Sequence, residues 1–194
     1  MQYRDLAIPG NQESRFTGVC DLSIPHGLVS LQPLDLRLHY ILPHYHYLGN
    51  YFDVSVIGGQ HDGESVFRMT GFNGEGNGRA FDPPLALSGA TGLRFTCGYD
   101  NWRDKDIGWG IGDQEMCVML GLADSRAIMD MSVPSGSQVV GEDGEVLPPA
   151  TRVRNSAARS VSASAKRVGA AAAACKYTRS PDLTTLTAST AVTY

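Results

Sequence analysis

The first residues able to do chemistry are two histidines separated by one residue, in Pro43-His44-Tyr45-His46-Tyr47-Leu48-Gly49. On a strand, residues i and i+2 share a face, with Cα atoms about 6.5–7 Å apart. Two imidazoles at that spacing can tilt onto one metal ion, while Tyr45 points the other way, to core or to solvent. A third ligand must then come from another element. Ordinary strand histidines follow the same pattern, so the pair by itself only names a candidate site.

A second run, Gly110-Ile111-Gly112-Asp113-Gln114-Glu115-Met116-Cys117, leads into Val118-Met119-Leu120. Read as a strand, it sets Met116, Val118 and Leu120 on one face and Cys117 and Met119 on the other. A strand methionine usually packs in a core. As a ligand, its thioether is soft and favours Cu(I), and two imidazoles with a thioether form a copper set rather than a zinc or calcium set. Four cysteines are present: Cys20, Cys97, Cys117 and Cys175. A Cys97–Cys117 bridge would close the segment carrying Trp102 and Trp109 and stabilise the fold by about 3 kcal/mol in the chain-entropy picture. Two buried thiols are the alternative, and Cys20 and Cys175 have no evident partners.

The elements that must position these residues read as β. Leu34, Leu36, Leu38, Tyr40 and Leu42 alternate with Asp35, Arg37 and His39, a period of two. Phe52, Val54 and Val56 repeat it and end at Gly58–Gly63, a stretch with hairpin turn chemistry. A return strand is expected over Ser65–Phe72, then strands at Leu85–Leu87 and Leu93–Cys97, and a last one at Glu115–Leu122. Helical periodicity is almost absent. Short strands between Gly/Pro turns indicate an all-β protein, an antiparallel jelly-roll β-sandwich.

The pattern ends near residue 132. Residues 1–150 hold nine basic and nineteen acidic side chains, whereas 151–194 hold seven basic residues and one acid, Asp182. Ala, Ser and Thr make up 24 of those last 44 residues. The expected organisation is a domain over 1–132 and a low-complexity, basic tail over 133–194, disordered or loosely helical, with Ala170–Ala174 able to form a helical turn.

The two motifs together resemble the C-terminal half of the type II, ascorbate-dependent copper monooxygenases, the family of peptidylglycine α-hydroxylating monooxygenase and dopamine β-monooxygenase. That half carries an H-x-H-x-x-G strand and, downstream, a G-x-x-x-[DQ]-E-M-C strand, in the order and spacing found over residues 1–125. The resemblance implies that His44, His46 and Met116 hold the catalytic copper, where dioxygen binds and a substrate C–H bond is hydroxylated with ascorbate as reductant. It implies a Cys97–Cys117 disulfide bracing the methionine strand, and a small-molecule substrate. It further implies a preceding domain carrying a second, electron-storing copper on three histidines. His26, His39 and His61 lack ligand-like spacing and read as exposed or hydrogen-bonded side chains.

The sequence departs from the peptide-amidating members where they grip the substrate carboxylate. Those members place an arginine two residues before the first histidine, and an asparagine and a tyrosine two and four residues after the methionine. Leu42, Val118 and Leu120 stand here. The expected substrate is apolar or neutral rather than a peptide C-terminus or a catecholamine. The alternative is a non-catalytic copper-binding or structural module, a fragment of a two-domain enzyme.

Other function classes are disfavoured. A net charge of −4 gives no bulk attraction to nucleic acid. No apolar stretch approaches the ~18 residues of a membrane span. No secretory signal is visible at the start, although a copper monooxygenase with disulfides implies a secreted or periplasmic parent protein. Gly74-Glu75-Gly76-Asn77-Gly78 has no strand–loop–helix context for phosphate, and Asp100–Asp106 has no EF-hand frame for calcium.

Overall fold

A computed structural model describes residues 1–71, 77–125, 129–133, 139–140, 146–147 and 173–177. In chain order the strands are β1 (Gln2–Tyr3), β2 (Ala7–Ile8), β3 (Gln12–Asp21), β4 (Arg37–His44), β5 (Gly49–Gly58), β6 (Ser65–Thr70), β7 (Arg79–Ala86) and β8 (Ala90–Asn101). They continue with β9 (Ile107–Gly108), β10 (Val118–Ala123), β11 (Met131–Val133), β12 (Val139–Val140), β13 (Val146–Leu147), β14 (Ala173–Ala174) and β15 (Lys176–Tyr177). One helix, α1 (Ser23–Ser30), interrupts them.

Two sheets make the body of this all-β fold. One has six strands in the order β15-β11-β1-β10-β4-β7, and the other five, β14-β3-β8-β5-β6. Most pairs are antiparallel; β1 with β11 and β14 with β3 are parallel. The sheets face each other across an apolar core. The Tyr3 ring of one meets Phe16 of the other edge-on, with centroids 5.7 Å apart. Phe16, Phe52, Val54, Phe95 and Tyr99 are each at most 1% exposed. Burying side chains of this size on both inner faces is the main stabilising term.

The alternation expected through Leu42 does not run through. Leu36 and Leu38 face the core, but so do Ile41, Pro43 and Tyr45, whereas Tyr40 and Leu42 are half-buried. The cause is an irregularity in the ladders. The β4–β7 register shifts between Leu38 and Tyr40, and the β4–β10 register shifts at Leu122/Ala123, opposite the same place. One extra residue there exchanges the two faces of everything downstream.

The last strand starts later than expected, at Val118, because Met116 and Cys117 precede the ladder with β4. Its parity is as read: Cys117 and Met119 are buried, whereas Met116 and Val118 are half-buried and Leu120 is exposed. Helix α1 was not anticipated. Asp21 Oδ1 accepts the Ser23 N–H at 2.9 Å, Pro25 sits in the first turn where its missing N–H costs nothing, and left-handed Leu31 closes the end onto the Gly27 carbonyl. Its outward side chains, Ile24, Leu28 and Leu31, are apolar.

Part of the tail is ordered against the body. Ala173–Ala174, expected as a helical turn, forms a strand on the β3 edge, and Lys176–Tyr177 pairs with β11. Cys175 between them bonds to Cys20, so the two cysteines without an evident partner are each other's. Val133 and the β12–β13 pair are the other described parts of the tail; its remainder, and the glycine-rich run at 72–76, lie outside the described residues. Among the described residues, no helix is long and apolar enough to cross a membrane.

Candidate functional site

The shifted register on β4 turns the histidines outward. His44 ends the strand, exposed, directly opposite Val118 of β10. Tyr45 goes to the core, where its ring stacks on Phe52 with centroids 6.1 Å apart. The chain then turns tightly, and the Gly49 N–H donates to the His46 carbonyl at 3.1 Å. Gly49 is required by close approach: a Cβ there would collide with the Tyr45 ring. The fixed inward tyrosine thereby sets its two histidine neighbours on the opposite side. Their rings stand edge to face, centroids 5.3 Å apart and planes at 88°.

His46 has a defined tautomer. Its Nδ1 lies 2.7 Å from the Gln114 carbonyl oxygen, which can only accept, so Nδ1 carries the proton. Nε2, across the ring, takes no part in that bond. A ring nitrogen anchored on a backbone carbonyl while the other is available is the usual arrangement behind a metal-binding imidazole.

Glu115, whose role was not legible, holds the two motifs together. Its side chain is buried at 2% exposure. Oε2 accepts the N–H of His46 at 2.8 Å, and Oε1 accepts the N–H of Leu48 at 2.7 Å. Burial pushes its carboxyl above the ordinary range; the Leu48, His46 and Met116 N–H groups and the nearby His46 pull the other way. The carboxylate thus replaces water for the backbone of the histidine turn. An acid immediately before Met-Cys at the head of an apolar strand was the available signal.

Met116 lies two residues before Val118, on the parity that faces away from Cys117. Its carbonyl accepts the Tyr99 hydroxyl at 2.7 Å, and Tyr99 is fully buried in the opposite sheet. Cys117 is joined to Cys97 of β8, with Cα atoms 5.9 Å apart. The methionine segment is therefore fastened to the second sheet at two consecutive residues, by a hydrogen bond and a disulfide.

The approach to that segment is also braced. Gln114 Oε1 accepts the Gly108 N–H at 2.8 Å, and Asp113 is gripped by Arg103 Nη1 at 2.5 Å and Lys105 Nζ at 2.6 Å. These two cations hold the Asp113 carboxyl below its ordinary value. The ion pairs are exposed and position the loop more than they stabilise it.

The remaining histidines take no part. His61 Nδ1 is 2.6 Å from Glu64, and His26 is buried in α1. Among the described residues, no group of three His, Cys, Asp or Glu side chains gathers to hold a metal. No protein-family model and no curated protein matches the chain.

Proposed function

We propose that His44, His46 and Met116 form a copper centre in a β-sandwich oxidoreductase domain, and that the sandwich is of the jelly-roll type. The observation that carries this reading is the His46 Nδ1–Gln114 carbonyl bond. It orients one imidazole of a histidine pair and directs its basic nitrogen away from the backbone of the methionine segment. The donor chemistry fits, since two imidazoles and a soft thioether suit copper in its reduced state.

When bound, copper supplies dioxygen activation, and the overall hydroxylation converts R–H and O2, with two electrons from ascorbate and two protons, to R–OH and water. The chain's own residues supply geometry. Glu115 keeps the His46 backbone fixed, the Cys97–Cys117 bond keeps the Met116 segment from drifting, and β4–β10 pairing sets His44 beside Val118. Holding such groups in place before reaction is the protein's contribution to cofactor chemistry. The substrate is an apolar or neutral small molecule, in line with the leucines and valine flanking His44. The electron source is ascorbate, assisted by a further copper domain. Two disulfides suit an oxidising compartment, and a secreted or periplasmic parent protein is the corresponding location.

Copper titration followed by electron paramagnetic resonance tests the centre. Wild-type protein should show nitrogen couplings from two imidazoles. His44→Ala should lose one of them, and Met116→Ile should bind Cu(I) more weakly. Equal copper affinity in all three proteins refutes the assignment. Ascorbate-dependent oxygen uptake no greater than that of free copper would instead support a binding module without turnover.

A further inference from the structure

A cavity of about 500 Å³ opens beside β10 and reaches in between the two sheets. Its inner wall is made by Leu36, Leu38, Leu87 and Leu93, each at most 4% exposed. Leu120 and Leu122 stand at its mouth, 52% and 64% exposed. Asp130 is the one ionisable side chain lining it among the described residues, and it accepts a long hydrogen bond from Gln2. The volume lies within the range of about 300–1,000 Å³ typical of small-molecule pockets.

The cavity and the histidine pair share a strand. Val118 lines the cavity and lies directly opposite His44 across the β4–β10 ladder. Leu120, at the mouth, pairs with Leu42 in the same way. Along the ladder, Val118 and the Leu42–Leu120 pair are the positions that connect the leucine-lined interior with His44.

We propose that this cavity seats a neutral, hydrocarbon-rich small molecule, and that its end at Val118 presents that molecule to His44 as the substrate of the centre. The substrate part rests on the copper reading above. The occupant follows from the walls. Among the described residues the one cation at its wall is the Met1 ammonium, which is already held on the Met119 carbonyl at 2.7 Å and offset by Asp130, and the leucine side chains gain only from apolar contact. A polypeptide would need backbone partners that these side chains do not offer.

The neutral fluorophore N-phenyl-1-naphthylamine tests it. Its emission should rise saturably with the protein. Leu122→Glu and Leu120→Glu, at exposed positions that leave the core intact, should each weaken binding by about tenfold or more. Leu28→Glu, equally exposed on α1 but outside the cavity, should leave binding unchanged. Loading Cu(II) should quench the bound fluorophore in wild type but not in His44→Ala. Absence of saturable binding, or equal binding by Leu122→Glu, overturns the proposal. Copper uptake without quenching overturns the placement of the ligand toward His44. Probe binding with no copper uptake refutes the copper reading, and the substrate assignment with it.

Discussion

Replacing Glu115 by glutamine isolates what the buried carboxylate does, because shape is kept and charge removed. In the native structure its two oxygens each accept a backbone N–H, from His46 at 2.8 Å and Leu48 at 2.7 Å. Glutamine retains one acceptor, so one of these N–H groups must face an amide NH2. Losing a charge-assisted bond in a buried place costs about 1.5–3 kcal/mol. Relief of the carboxylate's desolvation offsets part of this, leaving a net loss of about 2 kcal/mol. For a chain of this size that corresponds to a melting temperature lower by about 4–8 °C. Thermal unfolding followed by near-ultraviolet circular dichroism measures it, with exposed Glu13→Gln as the control within about 0.5 kcal/mol of wild type. The His46 turn should loosen as well, shifting the His46 ring resonances and, on the copper proposal, weakening copper binding about 10–100-fold. If Glu115→Gln melts within about 1 °C of wild type and leaves the His46 resonances in place, the carboxylate is not what fastens the turn.

Four further outcomes are expected. Cys97→Ala with Cys117→Ala should cost about 3 kcal/mol by denaturant unfolding and broaden the Met116 methyl resonance. Cys20→Ser should release the 173–177 strands from the β3 and β11 edges, seen as faster hydrogen exchange at Val19 and Ser132, with about 2–5 kcal/mol of stability lost. Tyr99→Phe removes only the hydroxyl bonded to the Met116 carbonyl and should cost about 1 kcal/mol. The Arg37 backbone N–H and its guanidinium hold the Asp124 carboxyl below its ordinary 3.8. That contribution is present above pH 3.8 and disappears as pH falls through the lowered value, so Asp124→Asn should unfold less steeply in acid than wild type, relative to its own neutral stability.

The parts of the fold legible in the sequence were those carried by local alternation. Phe52, Val54 and Val56, and the opposed parities of Met116 and Cys117, report directly which side chains face the core. What lay beyond reach depends on partners far along the chain. The shift between Leu38 and Tyr40 arises from how β4 meets β7 and β10, and no residue type marks it. Glu115 resembles any other acid until the backbone of His46 and Leu48 is brought to it from 69 and 67 residues away. The Cys20–Cys175 bond spans 155 residues, so spacing carries no information about it. Helix α1 carries no such local mark, because its apolar side chains face outward and the usual signature of an amphipathic helix is absent.

The extra residue between Leu38 and Tyr40 gives the protein an unusual sensitivity to length. Remove one codon from that stretch and no side chain of the histidine motif changes, yet His44 and His46 would be sent inward and Ile41, Pro43 and Tyr45 outward. The inheritance of this surface thus depends on a count as much as on identities. Single deletions in β4 should be purged more strictly than substitutions at most of its positions, even though they fall several residues before the first imidazole.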